Sequence, residues 1–95
     1  MPAGRGSNQA YKAERNEAMK FELKKKAEFV NGLCDLLRTD PRSSVDLLHY
    51  EVVTFDGYTD EYVHVCYTGG HHIPLLVTGN SIGAIAKAVI NEVYK

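Results

Sequence analysis

The densest set of side chains able to hold a metal or carry a proton is His64, Cys66, His71 and His72. A His-x-Cys pair places both groups on one face of a strand, and two histidines at the following turn could approach the same zinc ion. Their spacing matches no zinc finger or ribbon, so no metal is expected. Nucleophilic catalysis requires a thiolate beside an oriented base. Cys34 lies in an apolar stripe and Cys66 has only His64 close in sequence, with no evident third group. The carboxylates Asp56, Asp60 and Glu61 cluster at an exposed turn rather than in a pocket, which argues against paired-carboxylate chemistry. Neither a GxxxxGK[ST] loop nor a GxGxxG turn occurs. The expectation is a protein that is not an enzyme and carries no cofactor.

The scaffold that must position these groups is small. The chain has 95 residues, 44% hydrophobic and 24% charged, the balance of one globular domain. A domain of this size buries roughly 60–65% of the surface of its unfolded chain, which leaves little room for a cofactor cavity. Two cysteines cannot supply a disulfide framework. The start Met-Pro-Ala-Gly-Arg-Gly-Ser has no apolar run after its charge, and no stretch approaches the roughly 20 apolar residues of a membrane span. These features lead to the expectation of a cytoplasmic protein.

Residues 1–8 are small and polar and read as a mobile tail, leaving 9–95 as a single domain. From about Asn8 to Arg38, Met19, Leu23, Ala27, Val30, Cys34 and Leu37 recur at steps of three and four, the mark of an amphipathic helix. Phe29, Leu33 and Leu36 widen the stripe in its second half. Lys12, Glu14, Arg15 and Glu17 make the first half a solvated or partner-reaching segment. Asp40-Pro41 ends the helix, because the residue before proline avoids helical dihedrals.

The period then changes to two. Leu48, Tyr50 and Val52, then Val63, Val65 and Tyr67, then Ile73, Leu75 and Val77 define one face of a three-stranded meander. Turns fall at Asp56-Gly57-Tyr58-Thr59 and at Gly69-Gly70. The preferred register sets Val65 opposite Leu75, Tyr67 opposite Ile73, Glu51 opposite His64 and Val53 opposite Tyr62. Asn80 or Ser81 caps a closing helix with Ile82, Ile85, Ala86, Val89 and Val93 along one side. The predicted fold is α+β, in the order helix, three-stranded antiparallel sheet, helix (αβββα), with both helices on one face of the sheet.

The other sheet face then carries His49, Glu51, Val53 and Phe55, with Tyr62, His64, Cys66, Pro74 and Leu76. It is apolar for a face open to water, which points to a partner, to a homodimer, or to cover by the first half of the first helix or the tail. Leu47, Val53 and Phe55 turned inward instead would make this face ordinary. Charge is segregated as well. Residues 1–46 hold nine Lys+Arg against seven Asp+Glu, while residues 47–95 hold two against five. No Lys or Arg occurs over the 44 residues 43–86, so the net charge of −1 conceals an acidic hairpin. Such a potential attracts a basic partner and repels phosphate. The expected binding surface therefore takes its charge from Glu51, Asp56, Asp60 and Glu61. Phe55, Tyr58 and Tyr62 supply contact area, with His64 beside Glu51.

The helix, three-strand, helix order over residues 20–95 resembles the double-stranded-RNA-binding domain. That family holds phosphates at a lysine-rich start of its second helix. Here the matching stretch is Asn80-Ser81-Ile82-Gly83-Ala84-Ile85-Ala86-Lys87, and the loop at Asp56-Gly57-Tyr58-Thr59-Asp60-Glu61 is acidic, so direct nucleic-acid binding by that route is not expected. RNA binding would instead use Lys20, Lys24, Lys25 and Lys26 of the first helix. The chain is also similar to small bacteriophage and prophage accessory proteins, including some anti-CRISPR proteins. The likeness lies in Met19-Lys20-Phe21-Glu22-Leu23, Asp60-Glu61-Tyr62-Val63-His64-Val65 and the closing helix from Ser81. It implies inhibition of a basic host protein such as a nuclease, in the host bacterial cytoplasm. A metal-assisted enzyme is the third reading.

Overall fold

The computed structural model describes the backbone of residues 3–95 and the side chains of residues 20–95. The elements in chain order are α1 (Ala3–Arg38), β1 (Val45–Phe55), β2 (Tyr58–Tyr67), β3 (His72–Leu76) and α2 (Ile82–Val93). The strands form one antiparallel sheet in the order β1-β2-β3, and the fold is the αβββα arrangement. The helix bounds begin at Ala3 rather than near Asn8. The predicted mobile tail, 1–8, falls among residues whose side chains lie outside those described, as do Met19 and the polar positions Lys12, Glu14, Arg15 and Glu17. Among the described residues no helix is long and apolar enough to cross a membrane.

One core cluster joins both helices to the same face of the sheet. Val30, Leu33, Cys34 and Leu37 of α1 and Ile85 and Val89 of α2 are buried with Val45, Leu48, Val63, Val65 and Val77. The second half of the α1 stripe is therefore the packed half. Leu36 departs from expectation: it is 66% exposed, because it sits one position beyond the arc that Leu33 and Leu37 turn toward the sheet. Ile82 and Val52, both expected inside, are exposed at 37%: Ile82 opens α2, and Val52 pairs with Glu61 where the hairpin runs past β3.

The α1–β1 connection is built from side-chain caps. Thr39 and Asp40 donate backbone N–H groups to the Leu36 and Leu37 carbonyls, closing the last turn. The buried Ser43 hydroxyl donates to the Leu37 carbonyl at 2.6 Å and accepts from the Val45 N–H at 3.2 Å. The β1 ladder shifts between Val45 and Leu47, leaving Asp46 as the extra residue of a bulge. That insertion lets Val45 and Leu48, three apart, both face the core, while Leu47 turns outward. Along the β1 edge, the Leu48 N–H donates to Cys34 Sγ at 3.2 Å, so α1 satisfies an edge donor.

Both strand registers differ from prediction. In β1–β2, Glu51 faces Tyr62 and His49 faces His64; in β2–β3, Val65 faces Ile73 and Val63 faces Leu75. The causes are the turns. Asp56 and Gly57 alone close the first hairpin, with φ of 52° and 81°, so Phe55 pairs with Tyr58 where a four-residue turn was expected. Positive φ at both central residues is the type I′ requirement, and Asp-Gly meets it at low steric cost. The second connection closes over Thr68-Gly69-Gly70, with the Tyr67 N–H donating to the His71 carbonyl at 2.8 Å. Both slips are of two residues, so each side chain keeps its predicted face. At the far end, the Ser81 hydroxyl accepts from the Ala84 N–H at 3.2 Å and caps α2 as expected.

Candidate functional site

The long β1–β2 hairpin outreaches β3, which pairs only with Tyr62–Cys66. Residues 51–60 are all exposed. At the tip, Phe55 and Tyr58 stand at 79% and 77% exposure across the Asp56-Gly57 turn. Val53 pairs with Asp60 on the same face, and the Asp60 carboxylate accepts from the Thr78 hydroxyl at 3.2 Å. The predicted residues Phe55, Asp56, Tyr58 and Asp60 thus form one continuous exposed surface.

Glu61 does not belong to it. It is buried, and its carboxylate accepts from Lys26 Nζ at 2.8 Å, from the Tyr50 hydroxyl, and from the Gly79 N–H at 2.9 Å. Its own N–H donates to Thr78 Oγ1 at 2.9 Å, and its carbonyl accepts from the Val77 N–H at 2.8 Å. Glu61 therefore ties α1, β1 and the β3–α2 connection to the base of the hairpin. Burial opposes its ionisation, yet the Lys26 ammonium, the Tyr50 hydroxyl and the Gly79 N–H outweigh that and hold the carboxyl below its ordinary range. Burial and the neighbouring carboxylate together raise the Tyr50 phenol. The expectation that Glu61 contributes surface charge is corrected. Period two already carried the signal, since Glu61 shares the inward parity of Val63 and Val65.

The open face behind the hairpin holds a connected polar chain. His64 Nε2 lies 2.9 Å from Glu51 Oε1, and His64 Nδ1 lies 2.8 Å from His72 Nε2. The predicted Glu51–His64 pairing forms along the diagonal of the ladder instead of directly across it, within the reach of long side chains. His49, directly opposite His64, stacks on it with ring centroids 6.1 Å apart, and Tyr62, two residues along the same strand, lies at the same separation. His71 belongs elsewhere, beside Tyr67 at 6.2 Å, because the three-residue turn separates it from this face. His72 is the member that sequence reasoning did not connect to Glu51. Its outward parity with Pro74 and Leu76 was the available signal.

Leu76 and Pro74 extend the face toward β3, both exposed. Leu47, Val53 and Phe55 all point outward, so the face stays apolar around its polar chain. Asp46, Glu51, Asp56 and Asp60 are exposed acids, while Lys26, reaching across from α1, is committed to Glu61. Lys20, Lys24 and Lys25 remain exposed on α1. No family model, curated protein or solved structure matches the chain.

Proposed function

We propose that this chain is a non-enzymatic binding protein that docks its acidic hairpin tip and the adjoining open sheet face onto a basic protein. The observation that carries this is the tip itself. Two aromatic rings more than three-quarters exposed flank a carboxylate turn, in a 44-residue stretch without a single Lys or Arg. Large aromatic side chains held on a rigid hairpin provide contact area at low entropic cost, and the uncompensated carboxylates provide steering toward positive charge. A nucleic-acid-handling protein, whose function demands a basic groove, is the partner class such a tip suits, and occupying that groove would inhibit it. Inhibition of a host nuclease by a phage-encoded protein is the most specific form of this proposal. The same tip is poorly suited to phosphate, and with Lys26 engaged by Glu61 the lysine cluster offers RNA one cation fewer. A homodimer through the open face is the competing occupant, since that face is apolar around its polar chain.

The test is capture by the full chain from a bacterial lysate, with the partner identified by mass spectrometry and assayed as purified protein. Asp56→Lys with Asp60→Lys, and separately Phe55→Ala with Tyr58→Ala, should each weaken binding to the purified basic partner at least tenfold. Unchanged binding in both double variants overturns the proposal. Light scattering on the free chain distinguishes one copy from two.

A further inference from the structure

The geometry points to a solvent-open transition-metal site on the uncovered sheet face, with His64 Nδ1 and His72 Nε2 as its two protein ligands and Glu51 as the group that orients His64. Two Zn–N bonds of about 2.0–2.1 Å set at angles of 90–109° place the ligating nitrogens roughly 2.9–3.3 Å apart. The two imidazole nitrogens already stand 2.8 Å apart, on adjacent strands whose backbones are locked by the ladder. Admitting the ion requires the nitrogens to part by a few tenths of an ångström and the two rings, whose centroids lie 5.0 Å apart, to tilt so that both lone pairs converge on it, a movement of side-chain torsions alone.

The second observation is independent of the first. Histidines that ligate metal characteristically donate their other ring N–H to a carboxylate, which selects the tautomer and raises the basicity of the ligating nitrogen. His64 has this arrangement: Nε2 is directed at Glu51 Oε1 at 2.9 Å, leaving the lone pair on Nδ1 to face His72. His49 across the ladder and Tyr62 along β2 lie beside the ring, each with centroids 6.1 Å away. Without metal, the chain of bonds assigns one proton to the gap, donated by His72 Nε2 to His64 Nδ1. To ligate through Nε2, the His72 ring must carry its proton on Nδ1. Imidazole pairs suit Zn(II), Ni(II), Co(II) and Cu(II) rather than the oxygen-seeking Mg(II) or Ca(II). Among the described residues no group of three His, Cys, Asp or Glu is placed to hold an ion, so the remaining coordination positions belong to water or to an incoming ligand. A site with two fixed ligands and open positions differs from a closed structural zinc site, and its affinity is correspondingly modest.

The experiment is calorimetric titration of the full chain, made without a histidine tag, with ZnCl2 at pH 7.5, alongside absorbance titration with CoCl2. The expected result is one Zn(II) per chain at micromolar affinity, with His64→Ala and His72→Ala each weakening it more than tenfold. Glu51→Gln should weaken binding by 10- to 100-fold while leaving the stoichiometry at one. MgCl2 should give no heat of binding. His72 is exposed, so its alanine variant retains the core, and circular dichroism checks this for every variant. The site is overturned if wild type binds no Zn(II), or if the His64→Ala, His72→Ala double variant binds as tightly as wild type. Unchanged affinity in Glu51→Gln overturns the orienting role of Glu51.

Discussion

The two faces of this sheet each carry a glutamate in a hydrogen-bonded chain, ten residues apart in sequence, and the two are put to opposite uses. On the helix-covered face the Glu61 side chain is 9% exposed and paired with an ammonium, a phenol and a backbone N–H. On the open face the Glu51 side chain is 46% exposed and bonded to an imidazole. A carboxylate enclosed by protein must be fully satisfied or the fold suffers, whereas one facing water can exchange partners at little cost. The covered network therefore holds the hairpin in place, and the open one remains available for binding.

The sharpest way to break this contrast is Glu61→Ala. Removing one partner of a largely enclosed pair strands the Lys26 ammonium, and we expect a loss of about 3 kcal/mol in urea denaturation. For a domain of this size that lowers Tm by roughly 10–20 °C. Acid should produce a milder form of the same loss. Because the Glu61 carboxyl lies below its ordinary range in the folded chain, its contribution is complete above the unfolded value of about 4.3 and declines as pH falls through the folded value. Thermal melts between pH 7 and pH 3 should accordingly show the gap between wild type and Glu61→Ala closing toward the acid end. A gap independent of pH would mean that ionisation of Glu61 is not what it contributes.

Tyr50→Phe removes a single donor to the charged carboxylate and leaves Lys26 and Gly79 in place, so about 1–2 kcal/mol should be lost by the same denaturation measurement. The smallest effect belongs to the open face. Glu51→Ala should alter stability by less than about 0.5 kcal/mol, since an exposed carboxylate–imidazole contact contributes little to folding. A loss from Glu51→Ala comparable to that from Glu61→Ala would erase the distinction between the faces.

Much of this was legible in the chain. With Leu36, Val52 and Ile82 as exposed exceptions, alternation in 48–52, 63–67 and 73–77 marks the core-facing positions of the sheet, and the steps of three and four in 27–37 and 82–93 mark the packed sides of the helices. Register was less legible, because apolar alternation is unchanged by a slip of two; only the turn chemistry of Asp56-Gly57 and the Thr68-Gly69-Gly70 closure selects among the even slips. Seven of the eight predicted site residues, Glu51, Phe55, Asp56, Tyr58, Asp60, Tyr62 and His64, lie on the hairpin or its open face. Glu61 is the exception: its charge suggests surface, but its parity with Val63 and Val65 turns it inward.

Periodicity and turn chemistry are local quantities, set by the two-residue repeat of a strand, the 3.6-residue repeat of a helix and the dihedral preferences of Asp-Gly. They are why the sequence by itself determined the element order, the buried faces and an acidic hairpin between two apolar strands. Partnership across the sheet and between layers depends on distances that no local rule contains. The tertiary structure alone decided that Lys26 reaches 35 positions along the chain to neutralise Glu61, and that His72 comes within 2.8 Å of His64. The first contact follows from how α1 lies across the sheet, which no repeat along the chain specifies, and the second from register, because a shift of two residues preserves every side chain's face but moves its neighbours by nearly 7 Å along the strand.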